Sequence, residues 1–184
     1  NTVGVIIPNP SANLHIRSTR NYSNVFCIDY SPTLEYPPSG MSGGSALLTS
    51  TTISGAAYGN GTYVVSASSC HNGNYPAREA FDKTGADANS GWVSGIVYDG
   101  TTFYCTSATS TNSYVGEWIQ MQFPTRILLR SFSITGKSTD TRFSPSDFRL
   151  FGSLDGTTWT QVFDTTGQSW TNGETKSYSV NTTT

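Results

Sequence analysis

The chain has 184 residues, of which 12% are charged, and a net charge of −2. That length suits one well-buried domain with an appendage, and the charged share is about half of what globular domains usually carry. No basic stripe marks a nucleic-acid footprint, and no apolar run approaches the ~18 residues that span a bilayer, so nucleic-acid binding and membrane insertion are set aside.

Ser and Thr supply roughly 29% of the residues, a composition that favours strands and turns. No long window repeats apolar residues at helical spacing, so the expected class is all-β. Along residues 1–40, two short apolar runs, Val3–Ile7 and Leu14–Ile16, are broken by prolines, and Val25–Ile28 is a further short strand candidate. Pro and Gly then crowd the stretch that opens at Tyr36, and residues 41–56 read as a Pro/Gly/Ser-rich linker.

From residue 57 onward, turn signals recur at short intervals. Strands are expected at Tyr63–Ala67, Gly116–Phe123, Ile127–Ile134, Phe148–Phe151, Thr158–Phe163 and Lys176–Val180, with one helical turn between Pro76 and Asp82. In Gly116–Phe123, Ile119, Met121 and Phe123 fall on one face and Gln120 and Gln122 on the other, the period of a half-buried strand. Asp155-Gly156 between two strand candidates is a hairpin signal. Residues 95–113 hold few apolar anchors and read as a surface excursion.

Three cysteines, Cys27, Cys70 and Cys105, fit no zinc module and no redox pair. A Cys70–Cys105 disulfide is one reading of them and buried free thiols are the favoured one. Asn21, Asn60 and Asn181 head glycosylation acceptor triplets. Gly40-Met-Ser-Gly-Gly has the letters of a nucleophile elbow but opens no helix, and only His15 and His71 could serve as a base, so no enzymatic role is expected.

Five stretches taken in order carry a family pattern. They are Val64-Val-Ser-Ala-Ser-Ser, Tyr75-Pro-Ala-Arg-Glu-Ala-Phe-Asp, Ser90-Gly-Trp, Gly116-Glu-Trp-Ile-Gln-Met-Gln-Phe and Phe148-Arg-Leu-Phe-Gly-Ser-Leu-Asp-Gly-Thr-Thr-Trp. As a set they resemble the discoidin family, also called coagulation factor five/eight type C domains, which overlaps with carbohydrate-binding module family 32. The resemblance covers residues 57–180 and implies a jelly-roll β-sandwich that binds ligands through loops at one end. It also implies that Trp92, Trp118, Trp159 and Phe81 belong to the core. The N-terminal Val3-Gly-Val and Asn9-Pro-Ser-Ala-Asn-Leu-His-Ile are similar to a short repeat of phage and large-virus tail fibres, which makes residues 1–40 a fibre-like tether. The family has further strands after its hairpin, so residues 57–184 are expected to lack the last ones and to be completed by a partner chain or another segment.

The resemblance supplies two candidate sites. A structural calcium ion would take hard oxygen ligands from Asp82, Asp87 and Ser90, with the carbonyl of Glu79; for Asp82, capping of its own turn is the plain alternative. The ligand loops would offer Arg142, Asn74 and His71 as hydrogen-bonding groups and Tyr75, Phe103, Tyr104 and Trp170 as aromatic faces. Against this stand packing of each aromatic ring and a salt bridge from Arg142 to Asp140 or Asp147. The implied function is recognition of cell-surface glycans by a non-catalytic module, at an extracellular or virion surface and in a homo-oligomer or larger assembly. The alternative is a structural part of a capsid or fibre that uses the same fold for protein contacts.

Overall fold

The structure is a computed structural model that describes residues 34–48, 58–84, 91–95 and 116–180, together with the strand assignments at 4–6, 15–17, 51–53, 56–57, 110–111 and 114–115. In chain order the strands are β1 (Gly4–Ile6), β2 (His15–Arg17), β3 (Ser45–Leu48), β4 (Thr51–Ile53), β5 (Ala56–Tyr58), β6 (Gly61–Ala67), β7 (Ser110–Thr111), β8 (Tyr114–Val115), β9 (Ile119–Gln122), β10 (Ser131–Thr135), β11 (Phe148–Gly152), β12 (Thr160–Thr165) and β13 (Thr175–Ser179). Two single 3-10 turns, Ala77–Ala80 and Thr141–Phe143, are the helical elements among the described residues. The fold is an all-β, discoidin-like sandwich.

Strand β6 organises the first half. It pairs antiparallel with β3 on one side (Ala46 opposite Tyr63) and with β9 on the other (Val65 opposite Met121). Its alternation turns Tyr63 and Val65 inward and Thr62 and Val64 outward, as a one-sided sheet requires. Tyr63 is fully buried, and its hydroxyl donates to the Gly59 carbonyl at 2.8 Å, so the one polar atom taken into the core is matched. Met41, Ala46, Leu48 and Val65 complete this core, with Tyr36, Ala77, Phe81, Met121 and Phe123 packed against it. Tyr36 and Tyr63 both meet Phe123 edge-on, at centroid distances of 6.1 and 6.0 Å.

A second apolar cluster joins two strand pairs. β10 pairs with β13 and β11 with β12, and each pair supplies two rings to one group: Phe132 and Tyr178, Phe148 and Phe163. Every ring of the four lies within 6.3 Å of the other three, in a mixture of stacked and edge-on contacts. Such pairs add about 0.5–1.5 kcal/mol each beyond the area they bury. One ring from each strand thus becomes a joint between the pairs.

Strands β6 and β9 to β13 overlap the strands read from the sequence, and so does the helical turn at 77–80, whereas β7 and β8 were not expected. Two differences stand out. The Asp155-Gly156 hairpin exists, but its loop runs over 153–159 instead of turning tightly, because Asp155 accepts from the backbone N–H groups of Thr157 and Thr158 and spreads the turn. Those bonds also hold the Asp155 carboxyl well below the usual carboxylate range.

The larger correction concerns residues 41–56, expected as a linker. They contain β3, and Met41, Ala46 and Leu48 are among the most buried side chains described. Gly and Ser crowd this stretch, yet its apolar residues alternate (Ala46, Leu48 inward) and cover the flank of β6. Leu48→Ala is therefore expected to destabilise the domain by about 2–4 kcal/mol, a cost that deletion of a buried side chain carries and a linker position would not. Urea unfolding of both chains, with unchanged slope, measures it.

Candidate functional site

One end of the sandwich is built from three loops. The first leaves β6 at Ser68. The Ser68 hydroxyl donates to Glu117 Oε2 at 2.7 Å and receives the Trp118 N–H at 2.9 Å, and the Ser69 hydroxyl also donates to Glu117 Oε2. Ser69 Oγ in turn accepts the Gly95 N–H, while the Ser69 carbonyl accepts Trp92 Nε1 and the Val93 carbonyl accepts the His71 N–H, each at 2.8 Å. Trp92 and Trp118, expected in the core, are half-buried and act as pins between these segments. Beyond the pins, Asn72 closes an Asx turn onto the Asn74 N–H at 2.8 Å, and this turn presents His71 and Tyr75 with ring centroids 6.1 Å apart.

The loop after β10 meets them. Gly136 is buried, and a Cβ there would stand 2.8 Å from Ser144 Oγ and 3.1 Å from the Trp170 ring, so only glycine lets the loop pass. Asp140 then caps the 3-10 turn by accepting the Arg142 N–H at 2.9 Å. The same carboxylate takes the guanidinium in a fork, with Nε 3.0 Å from each oxygen and Nη2 at 2.6 Å from Oδ2. The side-chain bonds from Arg142, then its backbone N–H, hold the Asp140 carboxyl below the ordinary range.

Between the loops lies a cleft of about 390 Å3 lined by His71, Tyr75, Val93, Lys137, Thr139, Asp140 and Phe143. The Lys137 ammonium sits 4.6 Å above the Tyr75 ring, a cation–π contact that ties the first loop to the second. Phe143 is 54% exposed, an apolar face left in water on the cleft wall.

Of the sequence-predicted ligand residues, His71 and Tyr75 line this cleft, and Asn74 lines a neighbouring hollow of about 350 Å3 with Gly73, Arg78 and Glu79. Arg142 rides on Asp140 with its side chain 85% exposed, so the expected salt bridge and an open position coexist. Trp170 does not line the cleft. Its Nε1 donates to the Pro145 carbonyl at 2.8 Å and the Lys176 ammonium covers its ring at 4.8 Å, which makes it a packing residue behind Gly136. Phe103 and Tyr104 lie outside the described residues. Lys137, Asp140 and Phe143 were not singled out as ligand groups; the run Gly136-Lys-Ser-Thr-Asp-Thr-Arg-Phe, dense in charge within a chain poor in it, is the signal that marks them.

For the calcium set, Asp82 receives the Thr84 N–H at 3.0 Å and the Thr84 hydroxyl at 2.8 Å, an Asx turn with partners of its own. Glu79 pairs through its side chain with Arg78 at 3.0 Å. Asp87 and Ser90 lie outside the described residues. The set consists of hard oxygen donors alone, which suits calcium. Cys70 is a free, exposed thiol, not the buried one expected, because it stands where the loop leaves the sheet. Cys27 and Cys105 lie outside the described residues.

Residues 64–184 match the F5/8 type C domain. The chain belongs to that family. No curated protein and no solved structure matches it. F5/8 type C domains commonly bind carbohydrates or other ligands, are generally non-catalytic, and typically occur in extracellular or surface proteins. The match carries no viral or fibre context. It begins inside β6, so β3 and the core residues Met41, Ala46 and Leu48 precede the matched part of this F5/8 type C domain while packing within it. Among the described residues, no helix is long and apolar enough to cross a membrane.

The Asp140–Arg142 fork sets a pH dependence. A carboxyl held lower in the native than in the unfolded state binds fewer protons when folded, so its contribution is present above the ordinary carboxylate range and is lost as pH falls below about 4. Asp140→Asn is expected to lower the urea midpoint at neutral pH, and the gap from the parent chain should close as the pH is taken down through that window. A gap independent of pH would contradict the fork.

Proposed function

We propose that this F5/8 type C domain is a non-catalytic glycan-binding module working at a cell or virion surface. The observation that carries the proposal is the cleft between the 71–75, 91–95 and 137–143 loops. It sets an exposed aromatic face, Phe143, beside hydrogen-bonding side chains from His71, Thr139 and Asp140, the last of which holds Arg142. Sugars need that combination: an apolar platform for ring C–H groups and polar groups for hydroxyls. Hydrolysis of a glycoside would ask for two carboxyl groups flanking the bond. Asp140 is the sole acid among the lining residues, and it is committed to Arg142. A site this open binds weakly by itself, and display in several copies, as in a homo-oligomer or larger assembly, would raise its avidity.

A second reading, a structural component that contacts protein, is favoured by the outer face of β3 and β6. There Leu47 is 71% exposed and Val64 39%, an unusual exposure for neighbouring apolar residues on one sheet. Glycan-array screening separates the two. Phe143→Ala is expected to lower affinity for the best glycan about tenfold while leaving the melting temperature unchanged. Retained affinity in that variant would remove the cleft as the site.

A calcium ion belongs to the same proposal, held by Asp82, Asp87 and Ser90 with the Glu79 carbonyl, where it would brace the loop after the 3-10 turn at 77–80. Chelation with EDTA should lower the melting temperature by several degrees, and added calcium should restore it, the linkage expected when an ion binds only the folded state. An unchanged melting curve would rule the ion out.

A further inference from the structure

The sequence holds three Asn-Gly pairs, at 60–61, 72–73 and 172–173, all among the described residues. Such a pair is labile where the glycine nitrogen can reach the side-chain amide carbon before it, since glycine neither shields its nitrogen nor restricts its backbone. The structure treats the three unequally. Gly173 donates its N–H to the Lys137 carbonyl at 3.1 Å. Gly61 is built into β6 opposite Leu48, and a Cβ there would stand 2.4 Å from Pro124, so its backbone has no room to turn. Gly73 carries neither restraint. Its N–H has no partner among the described residues, a Cβ there would meet nothing within 4 Å, and the residue is exposed beside the hollow of about 350 Å3. Asn72 is set for the attack as well. Its Oδ1 accepts the Asn74 N–H at 2.8 Å, so charge building on this oxygen as the amide carbon is attacked meets a donor already in place. Its backbone carbonyl accepts the Tyr75 N–H at 3.1 Å, which holds Gly73 at the corner of the turn.

We propose that Asn72 is a site of self-modification selected by the fold, at which the side-chain amide is converted to aspartate and isoaspartate. The Gly73 nitrogen gives up its proton and bonds to Asn72 Cγ, the Cγ–Nδ2 bond breaks, and ammonia leaves as a succinimide ring closes. Water then opens the ring at either carbonyl. One opening restores the main chain with a side-chain carboxylate, and the other routes the main chain through the former side chain. Both products add a negative charge to a chain of net charge −2. An aspartate keeps an acceptor for the Asn74 N–H, whereas an isoaspartate lengthens the main chain by a methylene and takes the position 72 carbonyl out of register with the Tyr75 N–H. The change falls on the loop that carries His71 and Tyr75 into the cleft, so this wall alters irreversibly as the molecule ages.

Ageing the intact chain at mildly alkaline pH tests it, with fragmentation mass spectrometry to locate the mass gain and enzymatic methylation to count isoaspartate. Asn72 should convert about tenfold faster than Asn60 or Asn172, because those sites must first break a backbone hydrogen bond or a packed strand. In urea, where neither turn nor strand remains, the three rates should converge. Gly73→Ala, which places a methyl group in open space, should slow conversion at position 72 and leave the melting temperature no lower. In the isoaspartate fraction, isolated by anion exchange, the Tyr75 amide should lose its protection from hydrogen exchange, and retained protection would overturn the effect on the loop. Conversion at Asn72 no faster than at Asn60 and Asn172, or a lead of the same size in urea, overturns the proposal. The rates within the parent chain decide the matter even if Gly73→Ala fails to fold.

Discussion

The loop end of this domain that holds the cleft depends on one carboxylate. Glu117 receives the hydroxyls of Ser68 and Ser69, and through them fixes the exit of β6 against the entry of β9. Ser69 passes the restraint to residues 91–95 by accepting the Gly95 N–H and, at its carbonyl, the Trp92 indole. A carboxylate accepting hydroxyl protons in a half-buried place is a directional restraint stronger than neutral hydrogen bonds supply. Without it the turn that offers His71 and Tyr75 would rest on its Asx bond, the His71 and Tyr75 backbone N–H bonds and the Lys137 contact.

The facing loop is held by the same chemistry in a more exposed form. Asp140 accepts one backbone and three guanidinium bonds from Arg142, and Gly136 admits Ser144 and Trp170 beneath the loop. The two loops then meet through Lys137 and Tyr75. The cleft is thus framed by residues that serve geometry first. Phe143, whose side chain forms no part of that frame, is left exposed, and this division explains how a chain with so few charges can keep the cleft in shape.

Much of the fold was legible because period-two patterns and turn residues report on burial directly. Ile119, Met121 and Phe123 announced the inward face at β9, and the aromatic positions of β10 and β13 follow the same alternation. β3 was not legible. Its four residues, Ser-Ala-Leu-Leu, carry one short alternation inside a Gly- and Ser-rich stretch, and local composition outvoted a pairing that exists only because β6 offers an open flank. The cleft was half legible: His71 and Tyr75, named from position, line it, whereas Trp170 packs behind Gly136, and an aromatic residue in a loop declares nothing about which ring face another side chain will cover. That depends on where Lys176 and Gly136 sit, information held in the tertiary structure.

The placement of β3 also bears on how the chain finds its fold. In the three-stranded sheet, β3 reaches β6 across a short connection, with Leu48 opposite Gly61, whereas β6 reaches β9 only across the long span from Ala67 to Ile119. Closing the short connection loses far less chain entropy than closing the long one. The β3–β6 hairpin is thus the natural first-formed template of this sheet, onto which β9 docks afterwards. The residues that start the folding of this half then lie partly ahead of those by which the family is recognised.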